Sequence, residues 1–155
     1  MTEKIFKRIN ELLLETDLSY EEICVASKIK LSLLRAIRQN KNLPSLKNII
    51  ILAEFFNCSV SYALGLSDFP DEFEKGLDVA NIAFNISRFI KRHPPRFFYL
   101  KRCGFLKQFS SFKKWLNGSV CPNTYSFVAL AKTFDILAED LLRNQNNETH
   151  KFFNA

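Results

Sequence analysis

Apolar residues recur along this chain at the three-and-four spacing of amphipathic helices. Ile5, Ile9, Leu12 and Leu13 form one stripe near the start, and Ile82, Ile86, Phe89 and Ile90 form its counterpart in the second half. Each stripe predicts a helix with one buried face. Ser19 followed three residues later by Glu22 has capping-box spacing and predicts a short second helix over SYEEICVAS, with SLLRAIRQ forming a third after a tight connection. Asn40 and Gly118 tolerate the left-handed conformation that ends a helix, and Pro44 and Pro122 follow them, each before a further helix. A fifth short helix is predicted around 61–64 and again around 139–142.

The two halves are related in sequence. NLPSLKNIIILAEFFNCSVSYALG aligns with SVCPNTYSFVALAKTFDILAEDLL at an offset of 78 residues, which sets Pro44 against Pro122, Ala53 against Ala131, Phe56 against Phe134 and Leu64 against Leu142. The expected fold class is therefore all-α, in two tandem five-helix units at 1–67 and 81–143. Residues 68–80 form an acidic linker between them, and 144–155 form a polar tail. SDFPDEFEKGLD reads as an interdomain connection, with Phe69, Phe73 and Leu77 available to dock it on a neighbour.

Charge sharpens the division. Residues 1–67 carry a net +2, the linker −4 and residues 81–143 a net +8. From Arg88 to Lys114 there are nine basic residues and no acidic one: Arg88, Lys91, Arg92, Arg96, Lys101, Arg102, Lys107, Lys113 and Lys114. Such a run suits a polyanion, because neutralising phosphates releases counterions. Its plainer reading is a solvated basic surface.

Other chemistry is sparse. Hydrophobic residues at 47% and charged residues at 25% suit a folded chain and argue against global disorder. No apolar run predicts a membrane span, and the polar start MTEKIFKRINE lacks the block of a secretion signal, so the expected compartment is the cytoplasm. Cys24, Cys58, Cys103 and Cys121 contain no CxxC pair and are expected as small buried hydrophobes. His93 and His150 have no neighbouring ligand set, so neither a metal nor another cofactor is expected. GxSxG, HExxH, GxxxxGK[ST] and GxGxxG are all missing, which argues against an enzyme. Trp115, Tyr99 and Tyr125 are expected to pack as core residues.

In repeat two KKWLNGSVCPNTYSFVALAKTFDILAEDLL, and in repeat one SYEEICVASKIKLSLLRAIRQNKNLPSLKNIIILAEFFNCSVSYALGL, resemble the five-helix, lambda-repressor/Cro-like helix-turn-helix domain, the XRE family. The resemblance covers most of the chain. It implies a sequence-specific transcriptional regulator, a repressor by preference, that reads the major groove of double-stranded DNA with the third helix of each repeat. Those helices fall at 31–39 and about 109–117, with Leu34 and Ile37, or Phe112 and Trp115, facing inward. The outward groups implied as DNA contacts are Lys30, Ser32, Arg35, Arg38 and Lys41 in repeat one. In repeat two they are Arg96, Lys101, Arg102, Lys107, Gln108, Ser110, Ser111, Lys113, Lys114 and Asn117.

Departures from the family pattern mark both repeats. Lys28 stands where the family turn has Gly, and Leu31 and Leu33 stand where polar readers are common, as if exposed for a protein interface. The turn CGFLKQF in repeat two reads as one residue longer than usual. The competing function is a protein-interaction module on the same scaffold, such as an antitoxin or a phage-type inhibitor of a host nucleoprotein. RNA binding is disfavoured, since no GxxG is present. The tandem suggests a single-chain analogue of a repressor dimer with half-sites roughly 34 Å apart. Rigid packing of the two units, or a homodimer of whole chains, remains open at this level.

Overall fold

A computed structural model describes residues 2–95, 102 and 111–145. Among these residues the chain is all-helical and contains no strand. Repeat one contributes α1 (Thr2–Glu15), α2 (Tyr20–Ser27), α3 (Leu31–Arg38), α4 (Leu46–Phe56) and α5 (Val60–Ala63). A 3-10 turn, Val79–Asn81, leads into α6 (Ile82–Arg92), followed by α7 (Phe112–Leu116), α8 (Thr124–Phe134) and α9 (Ala138–Leu142). No described helix is long and apolar enough to cross a membrane.

Local chemistry sets these boundaries. Ser19 caps α2 reciprocally with Glu22: the Glu22 amide donates to Ser19 Oγ at 3.2 Å and the Ser19 amide donates to Glu22 Oε2 at 2.9 Å. Ser45 and its counterpart Asn123 cap α4 and α8 in the same way, accepting from the amides of Asn48 and Ser126. Left-handed residues end the helices at matched positions. Asn40 and Gly118 have φ of 55° and 77°, and Asn57 and Asp135 have φ of 51° and 55°. Lys28 is also left-handed, at φ 62°, so the turn between α2 and α3 adopts the glycine-type conformation without a glycine.

The 78-residue offset seen in the sequence holds in three dimensions. α8 begins and ends 78 residues after α4, α9 begins 78 after α5, and α7 ends 78 after α3. The counterpart of α2 would fall at 98–105, a stretch with only Arg102 among the described residues. α7 is shorter than expected, beginning at Phe112 after a turn at Ser111, but it keeps the offset. The turn CGFLKQF lies outside the described residues.

Packing follows the same scheme twice. α1 contacts α3 and α5, while α6 contacts α7 and α9. Ile5, Ile9, Leu12 and Leu13 are buried against Leu34 and Ile37, and Ile82 and Ile86 belong to the same continuous core as Phe112 and Trp115. Phe89 and Ile90, from the same stripe, are half-buried, with Phe89 stacked on Phe134 at 4.4 Å between ring centroids. The first helix of each half also satisfies the C-terminal carbonyls of the fifth, by different means. Arg8 Nη1 donates to the carbonyls of Tyr62 and Ser67, with its guanidinium 3.8 Å above the Tyr62 ring, whereas Asn85 Nδ2 donates to Leu141 and Arg143 at 2.9 Å each.

The halves meet at equivalent surfaces. Glu139 accepts from the Ser61 amide at 3.0 Å and from the Ser61 hydroxyl at 2.7 Å, and Ser61 Oγ accepts from the Ala138 amide at 2.9 Å. Ser61 and Glu139 are counterparts under the 78-residue offset, and both are buried. Nearby, α5 packs on α9. At a second point Thr124 Oγ1 donates to the Pro44 carbonyl, and residues 43–47 and their counterparts 121–125 line one groove of about 680 Å³. Positions 78 residues apart thus face each other at both points, the kind of contact a two-fold axis produces.

The acidic segment is a strap rather than a free tether. The Phe73 amide donates to Asn57 Oδ1 at 3.3 Å in the first half, and the next residue, Glu74, takes both Nε and Nη2 of Arg143 at 2.8 and 2.9 Å in the second. Phe73 and Leu77 are half-buried against the core, as expected of docking residues, but Phe69 is 73% exposed. Three further expectations are revised. Leu31 and Leu33 are half-buried, and Leu33 packs against the core, because each helix face inclined toward α1 or α2 must cover apolar surface. Cys121 is exposed at the groove, and Tyr125 beside it is 38% exposed, because these two side chains line the groove while Thr124, Ser126 and Phe127 of the same turn point inward. Cys58 is buried, Cys24 half-buried, and Cys103 and Tyr99 lie outside the described residues.

Two stability measurements test this account. Glu139→Ala leaves the Ser61 amide and hydroxyl without their buried acceptor and is expected to cost about 2–4 kcal/mol in denaturant unfolding. Lys28→Gly relieves a left-handed backbone and is expected to add about 1 kcal/mol, read as a higher thermal midpoint.

Candidate functional site

A short helix braced across its neighbours presents one face inward and leaves the other to solvent. In α3 the inward side chains are Leu34 and Ile37, both fully buried, and Asn10 of α1 fastens the end of the helix by donating to the Ile37 carbonyl and Asn40 Oδ1 at 3.4 and 3.3 Å. In α7 the inward pair is Phe112 and Trp115, each 3% exposed, with their rings in an edge contact at 5.8 Å. Trp115 is thus a core residue, as its spacing predicts.

The outward faces carry the charge. Lys30, Ser32, Arg35, Arg38 and Lys41 are all exposed, and no side-chain hydrogen bond or ion pair engages them among the described residues. Lys113 and Lys114 are likewise exposed on α7, Arg102 is exposed, and Ser111 is half-buried at the start of that helix. Arg35 and Lys113 are counterparts under the 78-residue offset, so each third helix carries an unpaired exposed cation at the same place. Asn117 is exposed but already occupied: its Oδ1 accepts from the amide of Ser119 at 2.9 Å and from the Ser119 hydroxyl, shaping the turn through Gly118. Arg96, Lys101, Lys107, Gln108 and Ser110 lie outside the described residues.

One member of the basic run has a structural role instead. Arg88 Nη1 donates to Gln145 Oε1 at 2.7 Å and ties α6 to the start of the tail. The rest of the tail, 146–155, lies outside the described residues. Two further lysines join the exposed face. Lys28 stands on the left-handed turn before α3, and Lys47 stands on the first turn of α4 at the groove. The signal for them was in the sequence as an absence: no acidic residue occurs from 23 to 53, nor from 79 to 134.

α4 and α8 both begin at the groove, and α4 runs about 16 Å from it to Asn57, whose Oδ1 accepts from the Phe73 amide of the strap. About four residues separate the end of α3 from Leu43 and the end of α7 from Cys121, both of which line the groove. At the other end Asp71, Glu72 and Glu74 gather beside Ser61 and Glu139. Cations outnumber acids on these helices and turns, with Asp78 beside the groove-lining Val79, and the electrostatic field of such an excess attracts an anionic polymer.

Chemistry other than binding has little material here. Among the described residues no group of three or more His, Cys, Asp or Glu side chains converges as a metal site. Burial pushes the Cys58 thiol up to about 11, a shift to which Glu139 adds and which Arg8 opposes, so at neutral pH it is a protonated packing residue. Comparison of the chain with protein-family models, with curated proteins and with solved structures finds no match.

Because the Lys113 and Lys114 side chains are exposed and make no hydrogen bond or ion pair among the described residues, Lys113→Ala and Lys114→Ala are expected to change stability by less than about 0.5 kcal/mol. Trp115→Ala, one residue on, is expected to cost about 3–5 kcal/mol. Urea titration of the three variants checks both statements.

Proposed function

We propose that this protein is a sequence-specific binder of double-stranded DNA and acts as a transcriptional regulator, with two tandem five-helix helix-turn-helix units of the lambda-repressor-like type. The observation that carries the reading is the pair of third helices, each with an exposed cation at the matched position, Arg35 or Lys113, and no acidic residue of its own. A duplex presents two phosphate backbones and a major groove wide enough for a helix, so paired short helices on a cationic face suit it. Lys28, Lys41 and Lys47, placed on turns and a first helical turn, suit phosphate contacts, while Arg35, Arg38, Lys113 and Lys114 suit the groove.

The two halves contribute unequally. In repeat one, α2 begins with exposed Glu21 and Glu22, which repel phosphate at that end of the motif. Repeat two has no acid before Asp135 and supplies the larger share of the field. A second reading, a protein-interaction module, draws on one specific feature: Leu14, Leu18 and Val25 are exposed together around the α1 to α2 junction, with Val25 at 82%. Leu31 and Leu33 no longer support it, since both are half-buried.

Binding to random duplex DNA across a salt series tests the proposal. The wild-type protein is expected to give a steep fall of log K with log salt, and a Lys113→Glu, Lys114→Glu variant a slope shallower by about 0.9 for every phosphate contact removed. An Arg35→Glu, Arg38→Glu variant is expected to show a smaller but definite loss. No retention of duplex at low salt would overturn the DNA reading and direct attention to the apolar surface at Val25.

A further inference from the structure

A two-fold interface between identical chains has a simple limitation. Residues on its axis meet their own copies, so a serine on the axis faces a serine and a glutamate faces a glutamate. In this chain the axis position is encoded twice and differently. Ser61 supplies an amide and a hydroxyl, Glu139 supplies a carboxylate that accepts both, and the Ser61 hydroxyl oxygen accepts from Ala138 in turn. Two glutamates there would set like charges together in a buried contact, and two serines would lack the double acceptor. The contact therefore suits two unlike halves of one chain. The strap reinforces it, since Phe73 and Glu74 bind opposite halves in successive residues.

The same inequality extends to the outward faces of the third helices. Arg35 corresponds to Lys113, Ala36 to Lys114, Arg38 to Leu116, Gln39 to Asn117 and Lys41 to Ser119. Arginine and lysine both suit guanine O6 and N7, so Arg35 and Lys113 favour the same base, but a small or apolar side chain stands opposite a cation at Ala36/Lys114 and at Arg38/Leu116, and at those two places the halves differ. Held in one chain by the Ser61–Glu139 contact, two such readers meet a duplex in a set order.

We infer that a single chain is a complete, asymmetric DNA clamp: one copy occupies two unlike half-sites about one helical turn apart, and the site has a direction rather than two-fold symmetry. This rests on the DNA-binding reading and adds stoichiometry, spacing and polarity to it.

The test starts from a random duplex library of about 30 base pairs, long enough for two half-sites a helical turn apart. Duplexes retained by the full-length protein are sequenced, and complexes with the enriched duplex are sized by analytical ultracentrifugation. The expected outcome is two unlike elements in constant order and one chain per duplex. Inserting about 5 base pairs, half a helical turn, between the elements is expected to weaken wild-type binding at least about tenfold. Ser61→Glu, which sets two carboxylates on the axis, is expected to bring affinity for the two-element duplex close to that for one element, with Ser61→Ala intermediate. Should Ser61→Glu fail to fold, the insertion measurement on the wild-type chain decides alone. Enrichment of a perfect inverted repeat bound by two chains would overturn the clamp while leaving DNA binding intact, as would a single element indifferent to the insertion. Absence of any enrichment together with no low-salt retention overturns both readings, and the retention assay by itself separates that case from the others.

Discussion

Two carboxylate oxygens of Glu139, shut away from solvent against the amide and hydroxyl of Ser61, fix how the two halves of this protein face each other. A buried carboxylate is tolerated only where its acceptors are filled, and here both oxygens are. The geometry that satisfies it also fixes the approach of α5 to α9, because Ser61 and Glu139 lie in those helices. Once that approach is set, the N-terminal ends of α4 and α8 come together at the groove, and the third helices are placed beside them. The apolar surface of the fifth helices supplies the attraction, but a greasy contact slides, and the directional bonds of Ser61 specify one arrangement.

The strap and the helix caps protect that arrangement from different directions. Arg143 is held between Glu74 and Asp140, so the end of α9 is tied to the segment that leaves repeat one. Arg8 and Asn85 close the ends of α5 and α9 from the first helix of each half. Different side chains thus meet one backbone requirement, the unsatisfied carbonyls of a helix terminus, in two related units.

Charge separation is a consequence of the same layout. Five acids fall in the linker, and the linker lies at the α5 and α9 end because Glu74 must reach Arg143. α3 and α7 themselves carry cations and no acid. The proposed DNA-binding face therefore owes its position to the interface between the halves as much as to its own sequence. On that proposed face Ala36 stands against Lys114 and Arg38 against Leu116, so the two third helices are not interchangeable.

Several features were determined by sequence alone because they depend on neighbours within a few residues. The helical stripes, the Ser19 and Glu22 box, the left-handed breaks at Asn40 and Gly118 and the inward pairs Leu34/Ile37 and Phe112/Trp115 are all local, and the 78-residue offset exposed their recurrence. The outward position of Arg35, Arg38, Lys113 and Lys114 followed from the same periodicity. Tertiary structure decided what depends on residues far apart in the chain. Half-burial of Leu31 and Leu33, exposure of Cys121 and Tyr125, and capture of Arg88 by Gln145 each turn on which surface another element covers, and periodicity carries no record of that. Ser61 and Glu139 were unremarkable in sequence, a small polar residue and an acid in short helices. Only folding places them on a common axis, where hydrogen bonding between unlike groups costs less than burying either one alone.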